Sequence, residues 1–153
     1  MSAFADEASR FCSWLESTAP PDALTISTRI ACLYSKALEQ PDVDVEGVPG
    51  GLEAPTIPED ALSALRSTLA GLPFRYYWEL FHSTTDEPDE PVCGDLADDL
   101  LDIYKDVKEG LLSFQSGKDV LAAYHWRTHF GFHWSRHAVG ALKALADYDP
   151  PCG

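Results

Sequence analysis

Tyr124 to His137 reads YHWRTHFGFHWSRH, with histidine at 125, 129, 133 and 137 in an unbroken step of four among aromatic residues. Four residues is close to one helical turn, so the stretch reads as one side of a long helix. In α geometry each such step advances about 40° and about 6 Å, so the four rings drift by about 120° over about 18 Å. One metal ion cannot take all four. On a helical wheel Val120, Tyr124, Trp126, Phe130, Trp134, Ala138, Ala141, Leu142 and Leu145 form a broad apolar arc. His137 lies inside that arc and His133 at its edge, while His125 and His129 fall opposite, near Arg136 and Lys143. The row is therefore expected to split into an interior pair and a solvated pair.

Just upstream, Ser116 to Asp119 (SGKD) has the form of a capping box, opening a helix expected to run to about Tyr148 before DPP ends it. The helix before that opens at Asp95, an N-cap with Asp98 at its third position, and continues through LADDLLDIYKDVKEGLLSF. Leu96, Leu100, Ile103, Tyr104, Val107, Leu111 and Phe114 make its apolar stripe. Asp95, Asp99, Asp102 and Asp106 follow beside that stripe within an arc of about 60°. Stacked carboxylates repel one another unless something positive or hydrogen-donating faces them. A short connection makes the two helices antiparallel neighbours, and the second offers His133, His137 and the guanidinium of Arg127 or Arg136. Gly110 and Gly131 fall near the packing faces, where they would let the helices approach closely.

Helix punctuation dominates the remainder of the chain. Ser2–Ser17 carries Phe4, Ala8, Phe11 and Leu15 at helical spacing, and Asp22–Gln40 carries Ile26, Ile30, Leu33 and Ala37. Residues 41–57 form a Pro- and Gly-rich loop; Thr56 to Glu59 (TIPE) has the form of a second capping box, and Gly71 closes its helix. FRYYWELFH, residues 74–82, reads as a short aromatic helix, and residues 83–94 as an acidic loop. The expected fold is all-α: a single domain, 1–153, forming a bundle of five to six helices with the last two long helices antiparallel at the centre.

Composition narrows the function. Twenty-five acidic residues against eleven Lys and Arg give a net charge of -14, which repels nucleic acid and anionic membranes. Cys12, Cys32, Cys93 and Cys152 contain no CxxC pair, and Cys12 and Cys32 beside the apolar stripes read as small core residues. The acidic start lacks the basic leader and apolar run of a signal peptide, and no stretch is long and apolar enough to span a bilayer. A reduced, cytoplasmic protein is expected. GxSxG, GxxxxGK[ST], HExxH and GxGxxG are all missing, mid-helix Ser135 lacks the setting of a nucleophile, and Trp126, Phe130 and Trp134 have core spacing.

Two readings of the facing helices remain. In one, His133 or His137 satisfies a buried carboxylate by hydrogen bonding. In the other, Asp99, Asp102, Asp106, His133 and His137 form a ligand pool for a divalent metal, to which Glu79 and His82 would add if they reach it.

Leu96 to Leu111 (LADDLLDIYKDVKEGL) and Trp126 to Leu145 (WRTHFGFHWSRHAVGALKAL), preceded by Tyr77 to Phe81 (YWELF), resemble a bacterial family catalogued as domain of unknown function 5063. Its pattern is DDLxDIYxDLKxGL followed by FxxHWGxHxxxALRAL. The resemblance covers roughly the second half of the chain; LYSKALEQP is similar to an early helix of the family. It implies importance for Asp98, Asp99, Asp102, Ile103, Tyr104, Asp106, Lys108, Phe130, His133, Trp134 and His137, and it omits His125 and His129. Ser135 stands where the family has Gly, and Val107 where it has Leu. No activity, substrate or cofactor follows from it.

The leading functional expectation is a non-catalytic binding or regulatory module that meets a protein partner. The alternative is a metal-binding helical bundle with an Asp/His site between the last two helices, a reading that extends to a metal-dependent hydrolase. DEPDEP, residues 86–91, is a third candidate as a docking segment for a basic protein.

Overall fold

The structure is a computed structural model that describes residues 3–17, 21–44, 46, 48, 53–87 and 89–151. Helices α1 (Ala3–Leu15), α2 (Ala23–Leu38) and α3 (Glu59–Thr68) precede a hairpin of β1 (Tyr76–Glu79) and β2 (Val92–Asp95). Helices α4 (Leu96–Gln115), α5 (Asp119–His129) and α6 (Ser135–Asp147) follow, with a π-helical turn, Phe130–Trp134, joining the last two into one rod. Helix α4 lies between α1 on one side and the α5–α6 rod on the other, and α2 packs on both α1 and α6.

Local chemistry accounts for most of these boundaries. Asp22 caps α2 by accepting from the Thr25 N–H at 2.8 Å, and Asp95 caps α4 by accepting from Ala97 N at 2.9 Å. Phe4, Ala8, Phe11 and Leu15 of α1 and Ile26, Ile30, Leu33 and Ala37 of α2 are all buried, as their spacing requires. Cys12 is buried with them, whereas Cys32 is exposed, so the stripe of α2 is narrower than expected. Cys152 lies outside the described residues. No helix among the described residues is long and apolar enough to cross a membrane.

Both expected capping boxes fail. Pro58 occupies the cap of α3 without a side-chain bond, so TIPE supplies only its backbone conformation. SGKD ends α4 instead of opening α5. Gly117 takes φ +75°, its N–H donates to Phe114 O at 2.9 Å, and Lys118 N–H donates to Ser113 O at 3.0 Å. That pair of bonds is the Schellman arrangement, which needs a left-handed residue after the helix and so favours glycine.

The fold is mostly helical rather than all-α, because residues 74–82 do not form the expected helix and residues 83–94 are not all loop. Tyr76–Glu79 pairs antiparallel with Val92–Asp95, setting Tyr77 opposite Gly94 and Trp78 opposite Cys93. A Cβ on Gly94 would sit 2.4 Å from Tyr77 Cζ, so the phenol ring lies flat over the glycine and ties the two strands. Aromatic side chains favour a pleated, half-buried strand, and the pleat turns Tyr77 and Glu79 inward and Tyr76 and Trp78 outward.

Helix α4 and the rod are antiparallel, as the short connection demanded. Gly110 is the point of closest approach: Trp126 Nε1–H donates to Val107 O at 2.9 Å, and a Cβ on Gly110 would fall 2.2 Å from that nitrogen. Gly131 plays no such part, being exposed with nothing near it. Val120, placed in the apolar arc by its spacing, is exposed at the start of α5.

Candidate metal centre

The π turn changes the phase of the histidine row. One residue taken into the wider turn subtracts about 100° from the expected drift of about 120°, leaving about 20°. All four rings therefore face α4. His125 and His129, expected on the solvated side, line this face with His133 and His137; their two rings stack with centroids 4.0 Å apart. His125 is 8% exposed. Arg127 points away to Asp42, its Nη2 lying 2.8 Å from Oδ1, and Arg136 is exposed. Asp99, Asp102 and Asp106 thus meet histidines of the rod, while Asp95 accepts from the Arg75 guanidinium, at 2.9 Å.

Asp106 is buried and both its oxygens are used. His129 Nδ1–H donates to Oδ1 at 2.8 Å and His133 Nδ1–H donates to Oδ2 at 2.6 Å. Two turns earlier Asp99, also buried, repeats the arrangement: His137 Nδ1–H donates to Oδ1 at 2.8 Å and Tyr77 O–H to Oδ2 at 2.5 Å. Between them Asp102 is partly exposed, forms no hydrogen bond among the described residues, and holds Oδ2 3.5 Å from His137 Nε2. His125 Nε2–H donates to the backbone carbonyl of Asp106 at 3.0 Å.

The electrostatics follow from these contacts. Burial pushes the Asp106 carboxyl up, but the hydrogen bonds from His129 and His133 outweigh it and hold the group below the ordinary carboxylate range. The bonds to Asp106 and Asp99 raise His129 and His137 respectively above the usual imidazole value. His125 goes the other way, lowered to about 4 by burial and then by the neighbouring His129 cation. Burial also raises Glu79, with Asp99 adding to it, and Glu109, with Asp106 adding to it.

Two clusters bring three ligand atoms within 4.8 Å of one another: Asp102, His133 and His137, and Asp106, His125 and His129. They differ in what is free. In the second, Asp106 already accepts from two imidazoles and His125 Nε2–H is engaged with a carbonyl. In the first, His133 and His137 are fixed through Nδ1 by buried carboxylates, which leaves Nε2 of each as the ligand atom and raises its basicity. The 3.5 Å between His137 Nε2 and Asp102 Oδ2 matches the edge of about 3.4 Å between two ligands bonded at about 2.1 Å in tetrahedral geometry.

The other residues singled out in the sequence separate cleanly. Asp98 is exposed in the first turn of α4. Tyr104 and Lys108 face α1, where Tyr104 O–H and Lys108 Nζ donate to Glu16 Oε1 at 2.8 and 2.6 Å. Trp126, Phe130 and Trp134 are core. Glu79 reaches the neighbourhood of Asp99 and His137, whereas His82 is held outside by Asp89 at 2.7 Å. Residues that the sequence did not offer as part of the site are Tyr77, His125, His129 and Glu109. The spacing of two between Tyr77 and Glu79, beside a turn-rich segment, was the available signal for an inward-facing strand.

Comparison with known proteins assigns the family. The model described as "Domain of unknown function (DUF5063)" matches residues 1–149. The chain belongs to the DUF5063 family. The match extends the resemblance seen in the second half to almost the whole chain, including α1 and α2 of this DUF5063 protein. The crystal structure of protein BF1032 from Bacteroides fragilis is similar in fold, with TM-score 0.74 at 23% identity, over 98% of this chain and 93% of that one. No curated protein matches the chain.

Proposed function

We propose that this protein binds a first-row divalent metal ion through Asp102, His133 and His137. The observation that supports the reading is the division of labour among the aspartates. Asp99 and Asp106 orient the imidazoles with all four of their oxygens engaged, while Asp102, set between them, keeps its oxygens uncommitted beside His137 Nε2. Two imidazole nitrogens and one carboxylate oxygen suit zinc or iron better than calcium or magnesium. Three protein ligands leave a coordination position open, and a metal so held lowers the pKa of bound water toward neutrality, which is the chemistry of a hydrolase.

Elemental analysis of untagged protein, with zinc titration of the chelator-treated protein by calorimetry, tests the proposal. One equivalent is expected, lost in Asp102→Ala and His137→Ala and retained in Tyr104→Phe. Absence of stoichiometric binding, or retention of the metal by Asp102→Ala, overturns it. A second reading, a non-catalytic module in which the row is purely structural, draws support from the fact that each of the four histidines already has a hydrogen-bond partner.

A further inference from the structure

Outside the histidine row a groove of about 950 Å³ lies between the β1 arm and α6. Its walls are unusual for an acidic protein. Trp78 is 74% exposed, Val139 52%, Leu80 44% and Phe81 41%, and all four line this groove. From α6 the groove is lined by Arg136, Val139, Gly140 and Lys143, spaced three, one and three residues apart and so on one face of the helix. Acids outnumber bases 25 to 11 in the chain, yet this face lines the groove with two cations. Arg136 makes no ion pair among the described residues, whereas Lys143 meets Asp147. Glu79 is the one carboxylate in the wall.

We propose that this groove binds a small organic anion with a flat apolar body: the arm supplies the stacking surface and Arg136 the anion contact. The proposal stands apart from the metal reading and holds for the metal-free protein. Size favours a small molecule, since the volume falls in the range of about 300–1,000 Å³ for small-ligand sites. Charge points the same way. A net charge of -14 repels an acidic protein or nucleic acid over many ångströms, but acts weakly on a ligand carrying a single charge once a guanidinium is within hydrogen-bonding reach. At the edge of the groove His82 takes φ +49°, a left-handed conformation rare outside glycine, where the chain turns after the arm.

The probe is 1-anilinonaphthalene-8-sulfonate, titrated by fluorescence into protein held in EDTA and shown to be folded by near-UV circular dichroism. Saturable binding at one site per chain is expected. Arg136→Glu should weaken it by about tenfold or more, as loss of a charge-assisted contact does. Trp78→Ala should weaken it as well. Lys118→Glu changes net charge equally, but on the exposed turn after α4, and should leave it within about twofold. The uncharged analogue N-phenyl-1-naphthylamine should bind at least about tenfold more weakly than the sulfonate. Competition by 2-naphthoate and by naphthyl phosphate then shows which anionic group the site prefers, and displacement by either supports it. Equal effects of Arg136→Glu and Lys118→Glu, equal binding of the neutral analogue, non-saturable binding, or displacement by neither competitor would overturn the proposal.

Discussion

Asp106→Asn tests whether the histidine row holds the bundle together. The carboxylate is buried and accepts from two imidazole N–H groups at 2.8 and 2.6 Å. An amide keeps the shape but offers one acceptor, so one imidazole must either face a donor or change tautomer and give up its charge. Charge-assisted bonds contribute about 1.5–3 kcal/mol each and neutral ones about 0.5–1.5, so the exchange costs about 1–1.5 kcal/mol per bond. Relief of repulsion on Glu109, whose pKa Asp106 helps to raise, offsets part of this. A net loss of about 2 kcal/mol is expected, or a fall in Tm of about 4–8 °C for a chain of this size. Its pH dependence is distinctive. Asp106 has a lowered folded pKa, so its contribution is present above the unfolded value of about 3.9 and is lost as pH falls below it. His129 has a raised folded pKa, so its contribution is complete below about 6.5 and is lost as pH rises through the raised value. In metal-free protein the difference between wild type and Asp106→Asn should therefore peak between about pH 4 and 6.5. Urea denaturation followed by circular dichroism at pH 3.5, 5.5 and 9 measures it. A difference under about 0.5 kcal/mol at pH 5.5, or one that grows toward pH 9, refutes the reasoning.

Three further outcomes are expected. Gly110→Ala drives a methyl into Trp126 and should cost about 2–3 kcal/mol, whereas Gly131→Ala, with open space around it, should be neutral or stabilising by up to about 1 kcal/mol; thermal melts compare them. His125, with its folded pKa lowered to about 4, refuses a proton that the unfolded chain accepts below about 6.5, so stability should decline by up to about 3 kcal/mol as pH falls from 6.5 to 4. His125→Gln should flatten that decline in chelator-treated protein, and an unchanged slope would contradict the assignment. Cys12, buried and with its thiol pushed up to about 12, should resist a thiol reagent such as DTNB until the protein unfolds, while Cys32 and Cys93 react in the native state.

What could be read from the sequence is what depends on neighbours along the chain. The stripes of α1 and α2, the Asp95 cap and the antiparallel pairing of the last helices each follow from a few consecutive residues, and all appear in the structure. The hairpin does not. Tyr77 finds its reason for being extended seventeen and twenty-two residues away, in the bare backbone of Gly94 and in the buried carboxylate of Asp99. Taken alone, FRYYWELFH satisfies a helix well enough, and nothing in a window of that length reveals the partner strand. SGKD shows the opposite failure: serine followed by glycine carries an N-cap signal and a helix-stop signal at once, and only the path of α4 decides between them.

The histidines make the deeper case. A wheel assumes a constant angle per residue, so an error of one residue in helical phase propagates to everything beyond it. The turn Phe130–Trp134 introduces that error in the middle of the row, and it explains why His133 and His137 were placed toward α4 while His125 and His129 were placed away from it. It also explains why a wide turn is tolerated. With a regular α-helix, no more than two of the four rings would meet α4, and Asp106 would be left with one imidazole in place of two, a buried carboxylate half satisfied. Admitting one residue into the turn costs local hydrogen-bond geometry but brings His129 and His133 onto the same carboxylate. The row and the π turn are thus one feature, in which the demand of a buried acid on α4 sets the winding of the helix that faces it.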